Sequence, residues 1–203
     1  MPKAITTPPD DPDPGKIQKL LLDLVSKIPY SNEKSCTNPL ERAQEIGQRA
    51  ALRAAATSGT LALPPGPLGM STILLDLLAI WKIQKQMVAD IAATHGKTAA
   101  LTPEMMVFCL FKHGAAMLVR DIVVRVGERL IVRRVALRAL QQALQKIGFR
   151  ITQRVIGQTI SRYIPFVGAL AIGSYSYYDT SQVAKTAIET FSREIDIEGD
   201  DKT

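Results

Sequence analysis

From Ala54 to Leu75 the chain runs 22 residues without a charged side chain, and near the middle of that run it reads LALPPGPLG, Leu61 to Gly69. By length alone the run would cross a bilayer, since about 20 apolar residues suffice for a helix. Gly59, Pro64, Pro65, Gly66 and Pro67 forbid it, because proline has no N–H to give and its ring collides with the preceding turn. The run must therefore break into two helices with an apolar turn between them. That turn is too leucine-rich for an ordinary solvated loop, so it is expected to be buried or inserted. A second uncharged run, the 16 residues Tyr163 to Tyr178, holds Pro165, Gly168 and Gly173. It ends in Tyr175, Tyr177 and Tyr178, a residue type that favours a membrane–water interface. Leu61, Leu63, Pro64, Pro65, Leu68, Phe166 and Val167 are the candidates for insertion or for an apolar interface. Re-entrant or in-plane placement suits both runs better than spanning, and a soluble core built from the same residues is the competing reading.

The rest of the chain has helical periodicity and almost no strand alternation. Lys16 to Ile28 places Ile17, Leu20, Leu21, Leu24, Val25 and Ile28 at helical spacing and stops before Pro29. Asn38 and Pro39 open a second helix that is expected to end at Gly59. Within it Ala43, Gly47, Ala51, Ala55 and Gly59 recur every fourth position, a small-residue stripe that admits a close helix crossing. The same alanines also serve a soluble helix chosen for propensity. Ser71 caps a third helix, Thr72 to about His95, terminated by Gly96. Thr102, Pro103 and Glu104 start a fourth, apolar from Met105 to Val119 apart from Lys112, His113 and Gly114. Two or three further helices are expected over Arg120 to Ile164, with Gly127 and Gly148 as breaks. Pro165 opens a last element that should bend or break near Gly173 or Thr180.

The 203 residues suit one main domain. The expectation is an all-α domain of six or seven helices over residues 16 to 195. It is flanked by a disordered Pro/Asp-rich tail, 1–15, and an acidic tail, 196–203, that self-repels and frays. The first fifteen residues carry five prolines and Asp10, Asp11 and Asp13, which rules out a secretory h-region there. Two cysteines leave no disulfide framework, and a reducing compartment is expected.

Charge is concentrated. From Arg120 to Arg162 there are ten Lys or Arg residues against Asp121 and Glu128 alone. Arg125, Arg129 and Arg133 are four apart, as are Lys146, Arg150 and Arg154, so each triplet would stripe one helix, with Arg134 and Arg138 beside them. Val126, Leu130, Val135, Leu137, Leu140, Leu144, Ile147 and Ile151 would supply the opposite apolar face. A basic amphipathic helix fits an anionic bilayer surface, and the same stripe fits a solvated, salt-bridged face. Nucleic acid is disfavoured, because Phe149 and Tyr163 are the only aromatics available for stacking.

Asp76 stands inside Ile73, Leu74, Leu75, Leu77 and Leu78, where an unpartnered carboxylate would cost several kcal/mol. It needs a cation, a donor or water. Asp90, fourteen positions on, falls on roughly the same face, which suggests a polar seam; a solvated strip shared with Thr72 and Lys82 is the alternative. Cys109 and His113 are also one turn apart, as a thiolate–imidazole pair or half a metal site would be, but core or helix-interface packing is the expected reading, since a free cysteine behaves as a small buried hydrophobe. No G-x-S-x-G, H-E-x-x-H, P-loop or G-x-G-x-x-G pattern occurs, so no catalytic residue, metal or cofactor is assigned.

Several of these features travel together. The small-residue helix, the turn at Leu63, Pro64, Pro65 and Gly66, and the Asp76 helix continuing through IWKIQKQMVADIAATHG form one block. Ile164, Pro165, Phe166, Val167 and Gly168 then precede a helix with Asp179, Thr180 and AKTAIETF. The whole resembles the EcsC-like family of bacterial helical proteins. Gln84, Met87 and Gly96 are also similar to the pattern of a membrane-associated domain attached to some bacterial GTPases. The resemblance implies an all-helical, membrane-linked bacterial protein without an established catalytic residue.

The expected function is accordingly non-enzymatic and peripheral. The basic face would meet an anionic membrane surface or a membrane protein at the inner face of the cell membrane, and the apolar turns would insert. A soluble adaptor or immunity-type module that binds another protein is the alternative. An enzyme using Cys109 and His113 or Asp76 comes third, with no small-molecule substrate identified.

Overall fold

The computed structural model describes residues 14–61, 67–158 and 167–198. The readings of the N-terminal tail before Pro14 and of the turns at 62–66 and 159–166 lie outside these residues. The described chain is mostly helical, with six α-helices and one three-stranded sheet. The helices are α1 (Pro14–Ser26), α2 (Pro39–Leu61), α3 (Pro67–Thr94), α4 (Pro103–Val119), α5 (Leu137–Gln158) and α6 (Val167–Phe191). The strands are β1 (Val123–Val126), β2 (Arg129–Arg133) and β3 (Glu194–Glu198).

Local chemistry explains most boundaries. The first four helices each begin on proline, whose fixed φ suits the first turn and whose missing N–H would have had no partner there. The Thr102 hydroxyl accepts the Met105 N–H at 3.3 Å, capping α4. Gly96, at φ +68°, ends α3: its N–H donates to the Ala93 carbonyl at 2.9 Å, and that of Lys97 reaches Ala92 at 2.8 Å. Gly59, by contrast, does not stop α2, which continues to Leu61, and α3 begins at Pro67 ahead of Ser71. Nor does α6 break at Gly173 or Thr180, since packing along its length outweighs the two local signals. The one interruption lies in α4, where Ala115 leaves helical geometry directly after Gly114.

Two expectations fail together at the charged segments. Residues 123–133 are a β-hairpin, not a helix, with Val126 opposite Arg129 and a two-residue turn led by Gly127 at φ +60°. Arg125, Arg129 and Arg133 therefore form no helical stripe. The acidic segment does not fray over Asp196 to Glu198. It pairs as β3, parallel to β2, with Glu194 beside Arg129 and Glu198 beside Arg133. Alternation explains why: Ile195 and Ile197 turn inward beside buried Leu130 and Val132, while Glu194, Asp196 and Glu198 face out with the arginines. Arg129 meets Glu194 at 2.9 Å and Asp196 at 3.7 Å, and Arg133 meets Glu198 at 3.5 Å. The folded domain thus extends to at least Glu198.

The main core gathers α1, the N-terminal half of α2, α3, α4, α5, the C-terminal half of α6 and the inner face of the sheet. Trp81 and Phe111 meet edge to face at its centre, 6.3 Å apart at 78°. Two half-buried lysine ammoniums close helix ends: Lys85 donates to the carbonyls of Leu24 (3.0 Å) and Lys27 (2.9 Å) after α1, and Lys97 to those of Phe191 (2.8 Å) and Arg193 after α6. Burial lowers the pKa of both.

Candidate functional site

The small-residue stripe positions the site. α2 packs more extensively on α6 than on any other helix, antiparallel to it: Gly47 faces Ala184 and Gly173 faces Ala55 and Gly59. A Cβ built on Gly47 would lie 2.8 Å from that of Ala184, and one on Gly173 3.1 Å from the Ala55 carbonyl oxygen. α3 also lies against α2, so the C-terminal half of α2 and the N-terminal halves of α3 and α6 form a three-helix arm. Leu61, Pro67 and Val167 all stand at its far end.

The arm is built inside out. Its interior holds small and polar groups: Ala51, Ala54, Ser58, Asp76, Ser176 and Thr180 are all buried. Of its described large apolar side chains Leu75 (59%), Leu170 (74%), Tyr175 (45%) and Tyr178 (61%) are exposed, whereas towards the base Ile80 is buried and Leu77 and Leu78 are half-buried against the core. Among the described residues of the arm Asp76 is the one buried charge. It is not on a solvated edge: Ser176 Oγ donates to Ser58 Oγ at 2.7 Å, and Ser58 Oγ donates to Asp76 Oδ1 at 2.7 Å. This hydroxyl relay joins all three helices. The proposed seam with Asp90 does not exist, since Asp90 accepts from Ser31 (2.7 Å) and Gln86 (2.9 Å) elsewhere on α3.

A second polar cluster, which the sequence did not reveal, joins the arm to the core. Buried Gln84 donates to Asp179 Oδ2 at 2.8 Å and to Thr180 Oγ1 at 3.2 Å, while Asp179 Oδ1 meets His113 Nε2 at 2.7 Å. His113 thus pairs with α6, beside the irregularity at Ala115, and not with Cys109. Cys109 is fully buried, and burial pushes its thiol up to about 12, which keeps it a neutral packing group. Among the described residues no group of three or more His, Cys, Asp or Glu could hold a metal ion.

The basic candidates are dispersed. The arginines of the hairpin lie at the opposite end of α6 from the arm's tip, where Arg129 and Arg133 pair with β3 and Arg125 approaches Glu128 at 3.7 Å. Arg134 is exposed just after β2. Arg138 and Lys146 are exposed on α5, but the apolar face opposite them, Leu140, Leu144 and Ile147, is spent on the core. Among the described side chains of α5, Phe149 is the large apolar one left exposed. The side chains of Arg150, Arg154, Leu61, Leu68 and Val167 lie outside the described atoms, as do Leu63, Pro64, Pro65 and Phe166 altogether.

No family model, curated protein or solved structure matches the chain.

Proposed function

We propose that the protein associates peripherally with a membrane by dipping the end of the three-helix arm into one leaflet, without catalysing a reaction. The carrying observation is the inverted arm, whose apolar side chains face out and whose helices meet through small residues and hydroxyls. Small residues and interhelical hydrogen bonds are how helices associate where lipid removes the hydrophobic drive. The length agrees. Uncharged α6 runs from Val167 to Tyr178, about 18 Å at 1.5 Å per residue, close to half of a hydrocarbon core of about 30 Å. No helix among the described residues is long and apolar enough to cross a membrane. Tyr175, Tyr177 and Tyr178 come last before charge resumes at Asp179, the depth at which an aromatic belt sits. This reading agrees with the membrane link that the EcsC-like resemblance implies, and with it we propose the inner face of the cell membrane as the protein's location.

Flotation with phosphatidylcholine vesicles tests the reading. Leu75→Ser with Leu170→Ser removes about 3 kcal/mol of insertion, so partitioning should fall about a hundredfold at low and high salt alike. Unchanged flotation, or none by the wild type, would leave the arm's apolar face to a protein partner.

A further inference from the structure

At the base of the arm α2 and α3 part around a groove of about 410 Å³. Ile46 and Ala50 from α2 and Ile83 and Met87 from α3 give it an apolar lining. Arg49 and Arg53, one turn apart, line the α2 side, and Lys82 lines the α3 side. Two acids also border the groove: Glu33 is ion-paired, and Asp90 is held through Oδ1 by neutral donors and keeps its charge. Glu33 accepts twice from Arg42, at 2.7 and 3.0 Å, and Asp90 accepts from Ser31 and Gln86. Arg49 is steadied by Glu45 at 3.1 Å. Among the described residues Arg53 and Lys82 make no ion pair, so two exposed cations face a cleft where Glu33 is already paired and three cations, Arg49 included, outnumber the two acids.

We infer that this groove binds a phosphate group, with the Arg53 guanidinium and the Lys82 ammonium as its principal ligands. A guanidinium fork matches two phosphate oxygens, an ammonium supplies a compact point charge, and the apolar lining accepts whatever carbon the phosphate carries. The position names the first source to try. Arg53 is the last charged residue of α2 before the uncharged run, and Lys82 is the first basic one of α3 after it. An arm inserted in one leaflet would hold both at the level of lipid headgroups. The lipid source rests on the insertion reading; the phosphate site itself does not.

The test uses the full chain and its Arg53→Gln, Lys82→Gln and double variants, with Arg138→Gln as a control of equal charge loss on α5. Binding is measured to vesicles of phosphatidylcholine alone and of phosphatidylcholine with phosphatidylglycerol. Inorganic phosphate is titrated separately against chloride at matched ionic strength, with amide shifts in α2 and α3 as the readout. Each single variant should weaken binding to the anionic vesicles about fivefold and the double variant about 25-fold, with neutral vesicles and the Arg138 control changed less than about twofold. Phosphate-specific shifts that vanish in the double variant, without any anionic-vesicle preference, would keep the site and assign it to free phosphate. If neither the phosphate shifts nor the vesicle preference depends on Arg53 and Lys82, the inference is overturned, even where wild type and variants insert equally.

Discussion

Gly47→Ala sets two opposed effects against each other. Replacing a glycine inside a helix by alanine is worth about 0.5–1 kcal/mol, because the unfolded chain loses freedom. At this position the new Cβ would stand 2.8 Å from the Cβ of Ala184, an atom fixed to its own backbone and unable to rotate away. Relief requires α2 and α6 to separate, and overpacking of this kind costs about 1–3 kcal/mol. The clash should win, leaving Gly47→Ala destabilised by about 1 kcal/mol and Gly47→Leu by about 3 or more. Ala184→Gly opens the same space from the other helix at a cost of about 1 kcal/mol in propensity. The double variant should then be no less stable than Ala184→Gly alone, a coupling of about 1–2 kcal/mol. Urea denaturation at constant m-value reads all four proteins. Additive changes, or a Gly47→Ala variant stabilised by the full propensity gain, would show that the crossing is not close.

Deleting residues from Glu194 onward should destabilise the fold by about 2–4 kcal/mol, because Ile195 and Ile197 leave Leu130 and Val132 uncovered. The charge-only variant Glu194→Gln, Asp196→Asn, Glu198→Gln should cost under about 1 kcal/mol, and equal losses in the two would contradict the hydrophobic account. Ser58→Ala removes the central hydroxyl of the relay to Asp76 and should cost about 1–3 kcal/mol by denaturation, whereas Ser181→Ala, exposed on α6, should cost almost nothing. The Cys109 thiol holds its proton to about 12 in the folded chain against 9.0 when unfolded. Above the unfolded value the unfolded state therefore binds fewer protons, and stability falls as pH rises from 9 towards 12. Cys109→Ala should flatten that fall relative to wild type, and parallel pH curves would sink the assignment.

The helices were legible because their signals are local. Pro39, Pro103, Thr102 and Gly96 each act within one turn, and the stripe from Ala43 to Gly59 announced a close crossing without naming its partner. A spacing of four is a multiple of the strand period as well as close to that of the helix, so Arg129 and Arg133 fit both, while the turn at Gly127 puts Arg125 on β1 opposite Leu130. The deciding signal was present in the β-branched run around Gly127 and Glu128, VVRVGERLIVR. β3 was not legible at all, since EIDIE is too short and too charged to be a strand until β2 supplies both its hydrogen bonds and its counter-charges. At the site, Asp76 betrayed itself as a carboxylate in an apolar helix. Its donor Ser58 and the further hydroxyl of Ser176 are brought in by packing, 18 and 100 positions away, and no spacing rule reports them. The groove at Arg53 and Lys82 was hidden for the same reason.

The depth of the arm in a bilayer tests the central claim most directly. A nitroxide at position 170, in a Cys36→Ser, Leu170→Cys variant whose remaining Cys109 is buried, samples the exposed side of α6 near its tip. With vesicles present it should become accessible to oxygen and shielded from a water-soluble relaxation agent, while a label at position 138 on α5 stays aqueous. A label at position 170 that remains open to water while the protein floats with the vesicles would contradict insertion of the arm.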